Sequence, residues 1–269
     1  YHLHNRYRFS ERGTLSNTLF LIKGDGWFEQ NVESASYADY NIDTSLTDGA
    51  TSGRIVRRQS VDKYQLGWNP RLDVDHDRGQ HSIGGSFYFF ESDHDGQVAW
   101  AEGVDAALKP GHNYYKYFGK KRVASVFAQE YYRLTEKLNL QATLQFRHQT
   151  YDFDQVPLGA FVGYDYRVSW NFLSPRLGLN YTLKDEPGKA RANVFANFAI
   201  ASRPPTDLSI YDPTTPGGVP SLKIESVSAD SSQWDFGAPT FAAERVYNLE
   251  LGSSYQTPRY TLTANAYWM

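Results

Sequence analysis

Two short runs hold an imidazole between carboxylates, Asp75-His76-Asp77 and Asp93-His94-Asp95. Such runs suggest acid–base work or a metal site, because a carboxylate beside His fixes its tautomer and both are metal ligands. Asp75 and Asp77 fall in a tight turn, where Asp is favoured for hydrogen bonding its own backbone. The turn reading is therefore preferred there. Asp93–Asp95 opens a long polar stretch and offers oxygens to Ca²⁺, but fewer than the six to eight such an ion needs. With His112, Asp93 and His94 are also the carboxylate–His material available to a small hydrolase. A third constellation is His2, His4, Arg6 and Arg8, a cationic stripe on alternate positions that suits an anionic ligand or the hydrated wall of a channel. Gly24-Asp25-Gly26 supplies two glycines and no phosphate loop, and no Ser/His/Asp order stands in a strand–turn–helix setting. With no Cys, a thiolate zinc site, a cysteine nucleophile and a disulfide scaffold are excluded. No residue is assigned a catalytic, cofactor-binding or metal-ligating role, no cofactor is expected, and the ligand-binding residues are not readable.

The elements that must carry these residues are set by a period of two. Between Lys63 and Asp75, positions Tyr64, Leu66, Trp68, Pro70, Leu72 and Val74 alternate with Lys63, Gln65, Gly67, Asn69, Arg71, Asp73 and Asp75. One face meets an apolar medium and the other meets water. Leu138 to Arg147 and Leu173 to Leu183 alternate in the same way, and at the start Tyr1, Leu3, Tyr7 and Phe9 oppose His2, His4, Arg6 and Arg8. No helical period survives in these windows. Weaker strands are expected near 14–29, 81–92, 117–133, 190–201, 244–255 and 260–268, with Phe195 and Tyr267 falling on the polar side. Pro70 and Pro175 each remove a ladder donor, which counts against central strands and is tolerable near a strand end.

Composition gives the apolar medium its identity. The 269 residues carry 27 basic and 30 acidic side chains, so no basic footprint points to nucleic acid. Mean hydropathy is −0.57, and no apolar run is long enough for a helical membrane span. Yet 16 Phe, 20 Tyr and 6 Trp make the chain 16% aromatic. A polar average with so many rings fits a membrane barrel with aromatic girdles and a wet interior.

Connections sort into two kinds. Short turns are expected at 10–13, 75–80, 134–137, 184–189 and 256–259, and long polar stretches near 30–60, 93–116, 152–169 and 202–243. Strict alternation of short and long is the pattern of an outer-membrane barrel, with tight periplasmic turns and long outer loops. The fold class is all-β, a transmembrane antiparallel barrel with about ten strands visible.

At this point the residues resemble a family. Ser125-Val-Phe-Ala-Gln129-Glu-Tyr-Tyr-Arg133, a short turn, and Leu138 to Arg147 look like a barrel hairpin of TonB-dependent outer-membrane receptors. So do Leu173-Ser-Pro-Arg176-Leu-Gly178-Leu-Asn-Tyr181, Phe198-Ala-Ile-Ala-Ser-Arg203-Pro-Pro205 and Glu244-Arg-Val-Tyr-Asn248-Leu-Glu250-Leu-Gly252. The resemblance covers about 120–268 by motif and the first 120 residues by hairpin rhythm. It implies a barrel of roughly 22 strands, of which 1–269 form one segment, with the plug domain and closing strands outside the chain. It also implies a transport receptor and not an enzyme. Such a receptor binds a scarce extracellular ligand, for instance an iron chelate, and imports it into the periplasm. The implied partners are outer-membrane lipid, a small-molecule or chelate ligand, and the TonB complex of the inner membrane through an absent N-terminal region. A passive porin, a structural barrel in an assembly and a small ten-stranded hydrolase share the same strand pattern.

Within that frame Lys63, Arg71, Asp73, Arg147, Arg176, Arg191 and Glu250 read as a hydrated lumen wall of cross-strand pairs. Arg203-Pro204-Pro205, Tyr211-Asp212-Pro213 and Pro216 to Pro220 make a stiff entry to a long loop, where binding is often carried. Trp100, Tyr114, Tyr115, Tyr117, Tyr164, Tyr166 and Trp234 lie in or beside the outer loops, where girdle anchoring accounts for most and stacking on a ring-bearing ligand for the remainder.

Overall fold

The structure is a computed structural model in which residues 1–104, 112–223 and 234–269 are described. Parts of the second and fourth expected loops, 105–111 and 224–233, lie outside the described residues. The chain forms β1 (His2–Arg8), β2 (Gly13–Ser36), β3 (Ser52–His76), β4 (Gly79–Ala101), β5 (His112–Arg133), β6 (Leu138–Gln155), β7 (Asp165–Glu186), β8 (Ala190–Arg203), β9 (Glu244–Gln256) and β10 (Thr261–Trp268). A four-residue helix, α1 (Asp207–Ile210), lies between β8 and β9. All ten strands join one sheet in sequence order, and every pairing is antiparallel. Among the described residues β1 and β10 each have one neighbour, so the sheet is curved wall without closure.

Register puts the alternating apolar residues in rows. Leu15, Leu72, Ile83, Ala128 and Leu144 are consecutive partners across five strands. Leu19, Trp68, Phe87 and Ala124 form another row, and Leu21, Leu66 and Phe89 a third. Many of these side chains are exposed, Leu66 at 53% and Ile83 at 59%, as a surface made for lipid must be. The opposite face carries Ser16, Arg71, Gly84, Phe127, Gln145 and Ser174 as one continuous row. That is the lumen.

One row further from the short turns, the outer face changes character. Tyr64, Glu91, Lys120, Asp152 and Arg167 are consecutive partners. Lys120 Nζ lies 2.9 Å from Glu91, Arg122 3.3 Å from Asp152, and Arg167 also pairs with Asp152. Charge is expensive against hydrocarbon and cheap at its edge, so this row marks the outer boundary of the apolar belt.

The strands outrun the sequence-based expectation. β2 to β5 have 24, 25, 23 and 22 residues, although about 10 cross a bilayer. Much of 30–60, 93–116 and 152–169 is therefore strand, the outer connections contract to 37–51 and 156–164, and β4 and β5 take up 93–101 and 112–116. Beyond the belt both faces meet water, so the apolar–polar alternation disappears while the backbone ladder continues.

Two prolines also depart from expectation. Pro70 and Pro175 sit inside β3 and β7, not near their ends. The β3–β4 ladder passes from Trp68↔Phe87 to Arg71↔Gly84 and skips Asn69 and Pro70. The β7–β8 ladder stops at Arg176↔Ala199, one residue short of Pro175. A missing N–H is accommodated by a local gap in one ladder.

Phe195 and Tyr267 do face the lumen, opposite Gly252 and Glu250. The reason for Phe195 is a repeated device. Phe20 is the direct partner of Gly67, Phe127 of Gly84, and Phe195 of Gly252. A Cβ built on those glycines would come 2.3, 2.7 and 2.3 Å from the ring opposite. Each luminal ring lies over the bare backbone of its partner and covers it.

Candidate functional site

The candidate site is the luminal face of the wall at the end away from the short turns. Two connecting segments fold onto that face instead of projecting from it. The first, near 37–42, seats Tyr37, Tyr40 and Ile42 against Ile55, Val98, Tyr114, Tyr115 and Phe161. Arg57 Nη1 donates to Tyr40 Oη at 3.3 Å, and Gln59 Nε2 to Tyr114 Oη at 3.4 Å. His112 Nε2 lies 2.7 Å from the Asn41 carbonyl oxygen.

The second segment runs through α1. Thr206 caps it, its hydroxyl accepting from the Ser209 N–H. Ile210, Tyr211, Leu222 and Phe236 then bury against Tyr151, Phe153, Tyr166 and Val168 of β6 and β7. Polar groups fix the seat. Lys121 Nζ is 2.6 Å from Asp207 Oδ2 and stands over the Tyr151 ring at 5.1 Å. Tyr211 Oη donates to Gln155 Oε1 at 2.9 Å, while Gln155 Nε2 donates to the Pro213 carbonyl at 3.1 Å. Gln155 is 2% exposed, and both ends of its amide are satisfied, which a buried amide requires. Asp212 accepts from the Thr214 N–H and from the hydroxyls of Thr214 and Thr215, forming the turn that follows.

An aromatic seam joins the two seats. Ring centroids run Tyr40–Tyr114 4.7 Å, Tyr115–Tyr117 5.8 Å, Tyr117–Phe153 5.4 Å, Phe153–Tyr166 4.9 Å and Tyr166–Phe236 4.4 Å. Trp234 stacks on Tyr164 at 5.6 Å. His94 lies flat on Tyr117, 4.4 Å away at 7°. Burial holds the His94 imidazole below its ordinary range, against the carboxylate of Asp93. Burial also pushes the phenols of Tyr115 and Tyr117 far up and that of Tyr211 up to about 12. Three hydrogen bonds hold the Asp212 carboxyl low although its burial alone would raise it. At neutral pH the mouth therefore presents neutral rings and phenols, with Arg57, Asp212 and the Lys121–Asp207 pair among its charged groups. Such a surface can hold a flat or ring-bearing solute.

The sequence-derived candidates separate sharply. Asp93 and His94 point to opposite faces of β4, and His112 is engaged by backbone carbonyls, so the hydrolase material shares no hydrogen bond. Asp75 and Asp77 do not bond their own turn. Asp75 accepts from Gln80 Nε2 and Asp77 pairs with Arg12, so both carboxylates are engaged elsewhere. His76 makes the local bond instead, accepting from the Arg78 N–H at 3.2 Å. His2, His4, Arg6 and Arg8 face the lumen on β1 as expected, and His4 meets Thr18. Gly24 to Gly26 is plain ladder inside β2. Arg191 pairs with Asp185 across the β7–β8 ladder, and Glu250 accepts from Asn197 and Asn265 of its two neighbouring strands, as a hydrated wall of cross-strand pairs requires. Arg71 instead pairs with Asp73 along its own strand. Arg203 closes the β8–β9 ladder on Glu244.

Of the outer aromatics, Tyr114, Tyr115, Tyr117, Tyr164, Tyr166 and Trp234 belong to the luminal seats and seam, not to a lipid girdle. They lie past the charged row, where no lipid is left to anchor in. Trp100 alone is outward, 47% exposed beneath Arg54. Lys121, Gln155 and Asp207 went unnoticed in the sequence. Only Thr206-Asp207, a helix N-cap pair, could have signalled the last.

Similar folds are known. The ferric yersiniabactin uptake receptor FyuA of Yersinia pestis matches 99% of this chain with a TM-score of 0.64 at 15% identity. The ferric-catecholate import receptor Fiu of E. coli K12 matches with 0.60 at 16%, and the copper transporter OprC with 0.65 at 13%. At such identities the likeness shows the fold. The chain spans 34%, 39% and 37% of those structures. No curated protein matches the sequence. The family model described as TonB dependent receptor-like, beta-barrel matches residues 1–269.

Proposed function

The chain belongs to the TonB-dependent receptor β-barrel family of the outer membrane, and from that premise we propose that it is wall of a receptor that captures a scarce chelated ligand from outside and imports it into the periplasm. In this reading residues 1–269 are one barrel segment. Further strands close the barrel, a plug domain fills its lumen, and the inner-membrane TonB complex supplies energy through a region outside these residues. The apolar belt contacts outer-membrane lipid. The mechanism is gated binding and release without covalent catalysis.

The observation that carries the reading is a wall with two free edges whose mouth is lined by inward-folded, aromatic segments. Ten strands closed on themselves would leave an interior largely filled by side chains, with no room for those segments and a ligand together. Iron chelates with aromatic or conjugated rings are the ligand class that the seam from Tyr40 to Phe236 suits best.

Uptake decides it. Cells expressing the whole receptor are expected to accumulate radio-iron from one member of a chelate panel, and to stop when TonB is deleted. Accumulation that persists without TonB would identify a passive porin. The intact mass from native membranes, expected at about two to three times 30.6 kDa, separates a barrel segment from a ten-stranded barrel.

A further inference from the structure

On the outer face of the wall, at the short-turn end and far from the mouth, three ligand-type side chains converge. β3 and β4 are joined by a two-residue turn that pairs His76 with Gly79. His81 follows two residues later on the same face, and its direct partner on β5 is Glu130. Register alone brings the three together: His76 and His81 are diagonal neighbours, and Glu130 stands across from both. The two imidazoles stack with centroids 4.5 Å apart at 30°. Glu130 Oε1 is 3.0 Å from His76 Nε2, and its Oε2 contacts His81 Nδ1.

We propose that His76, His81 and Glu130 form a binding site for a borderline divalent transition-metal ion, with Zn²⁺ as the reference case. The three ligand atoms all lie within 4.8 Å of one another. A tetrahedral ion with bonds of about 2.0–2.1 Å holds its ligands roughly 3.3 Å apart, so small side-chain rotations complete the set. Two imidazoles and one carboxylate suit Zn²⁺, Cu²⁺ or Ni²⁺, whereas Ca²⁺ and Mg²⁺ call for oxygens. Three protein ligands leave one position open to water or a further donor, and the 59% exposure of the His81 side chain gives access. Without metal, each ring donates an N–H to Glu130. Loading moves each proton to the far nitrogen of its own ring, so His76 Nδ1 becomes a donor and must give up the Arg78 N–H it now accepts at 3.2 Å. The two N–H bonds to Glu130 and the weak Arg78 N–H bond are exchanged for two metal–nitrogen bonds and one metal–oxygen bond. The neighbouring acids do not compete, because Asp75 and Asp77 are held by Gln80 and Arg12.

The test uses the whole receptor in detergent, free of tag histidines, titrated with Co²⁺ as a spectroscopic probe. One Co²⁺ per chain is expected, with the intense visible bands of low coordination, displaced by Zn²⁺. His81→Ala and Glu130→Gln should each weaken binding about 10–100-fold, whereas the double variant His2→Ala/His4→Ala should leave it intact. His81 is exposed and Glu130→Gln keeps its volume, so neither change threatens the fold. Only weak aqueous-type cobalt bands, or an affinity that His81→Ala does not alter, would overturn the proposal.

Discussion

Lys121 Nζ lies 2.6 Å from Asp207 Oδ2, and this ion pair ties the first turn of α1, in the long segment after β8, to the luminal face of β5. Lys121 also stands over Tyr151, so one ammonium organises both the apolar and the polar halves of the seat. Lys121→Met should cost about 1 kcal/mol locally, as befits a partly exposed pair. The change should appear as faster amide exchange and faster proteolysis within 204–223, with β5 and β6 unaffected. Unchanged protection of that segment would show that the ion pair is not what seats it.

The ring-over-glycine pairs predict a non-additive pair of substitutions. Gly252→Ala puts a methyl 2.3 Å from the Phe195 ring and should cost about 1–3 kcal/mol through overpacking. With Phe195→Ala already present, the same change should cost far less, because the obstructing ring is gone. Urea unfolding of the four-member cycle reads this. Strict additivity would mean that the ring does not cover the glycine.

Adjacent residues on β6 test which face meets lipid. Phe146 lies in the outward apolar set opposite Leu173, and Gln145 faces the lumen opposite Ser174. Phe146→Arg should cost about 2–4 kcal/mol in refolding into bilayers, whereas Gln145→Arg should be close to neutral. Equal costs would contradict the assignment of faces.

His94 links the mouth to acid. Burial lowers its folded-state affinity for protons, so the unfolded or opened mouth binds the proton first as pH falls through the ordinary His range near 6.5. The sign follows: stability of the mouth is retained above about pH 6.5 and lost progressively below it. Exchange protection around His94 and Tyr117 should decline over that window in the native chain. In His94→Gln the decline should be absent. A decline that survives the substitution would assign it to other groups.

How much of this was legible beforehand depends on where the chain meets lipid. Lys63 to Asp75 announces its faces without an exception, because one side must satisfy hydrocarbon and the other water. The upper halves of β2 to β5 give no such signal. Both of their faces are wet, and residues such as Asp93 to Gly96 read as loop although the ladder runs through them. Phe195 on the polar side looked like an irregularity until its partner proved to be Gly252. His76 was visible as a possible ligand, but Asp75 and Asp77 were the obvious companions. The actual ones, His81 and Glu130, lie five and 54 residues away.

The sequence by itself determined the class: alternation over a belt of about 10 residues per strand, short and long connections in turn, and motifs that resemble one receptor family. Those are local consequences of a backbone whose side chains must satisfy two solvents at once, and they survive in one dimension. Only the tertiary structure decided the register, and with it every relationship between strands. The seat of α1 on Lys121, the rings lying over glycines, the aromatic seam and the convergence of His76, His81 and Glu130 all depend on which residue stands opposite which. A slip of one residue would reverse every face, and no periodicity in a single strand specifies its partner's register.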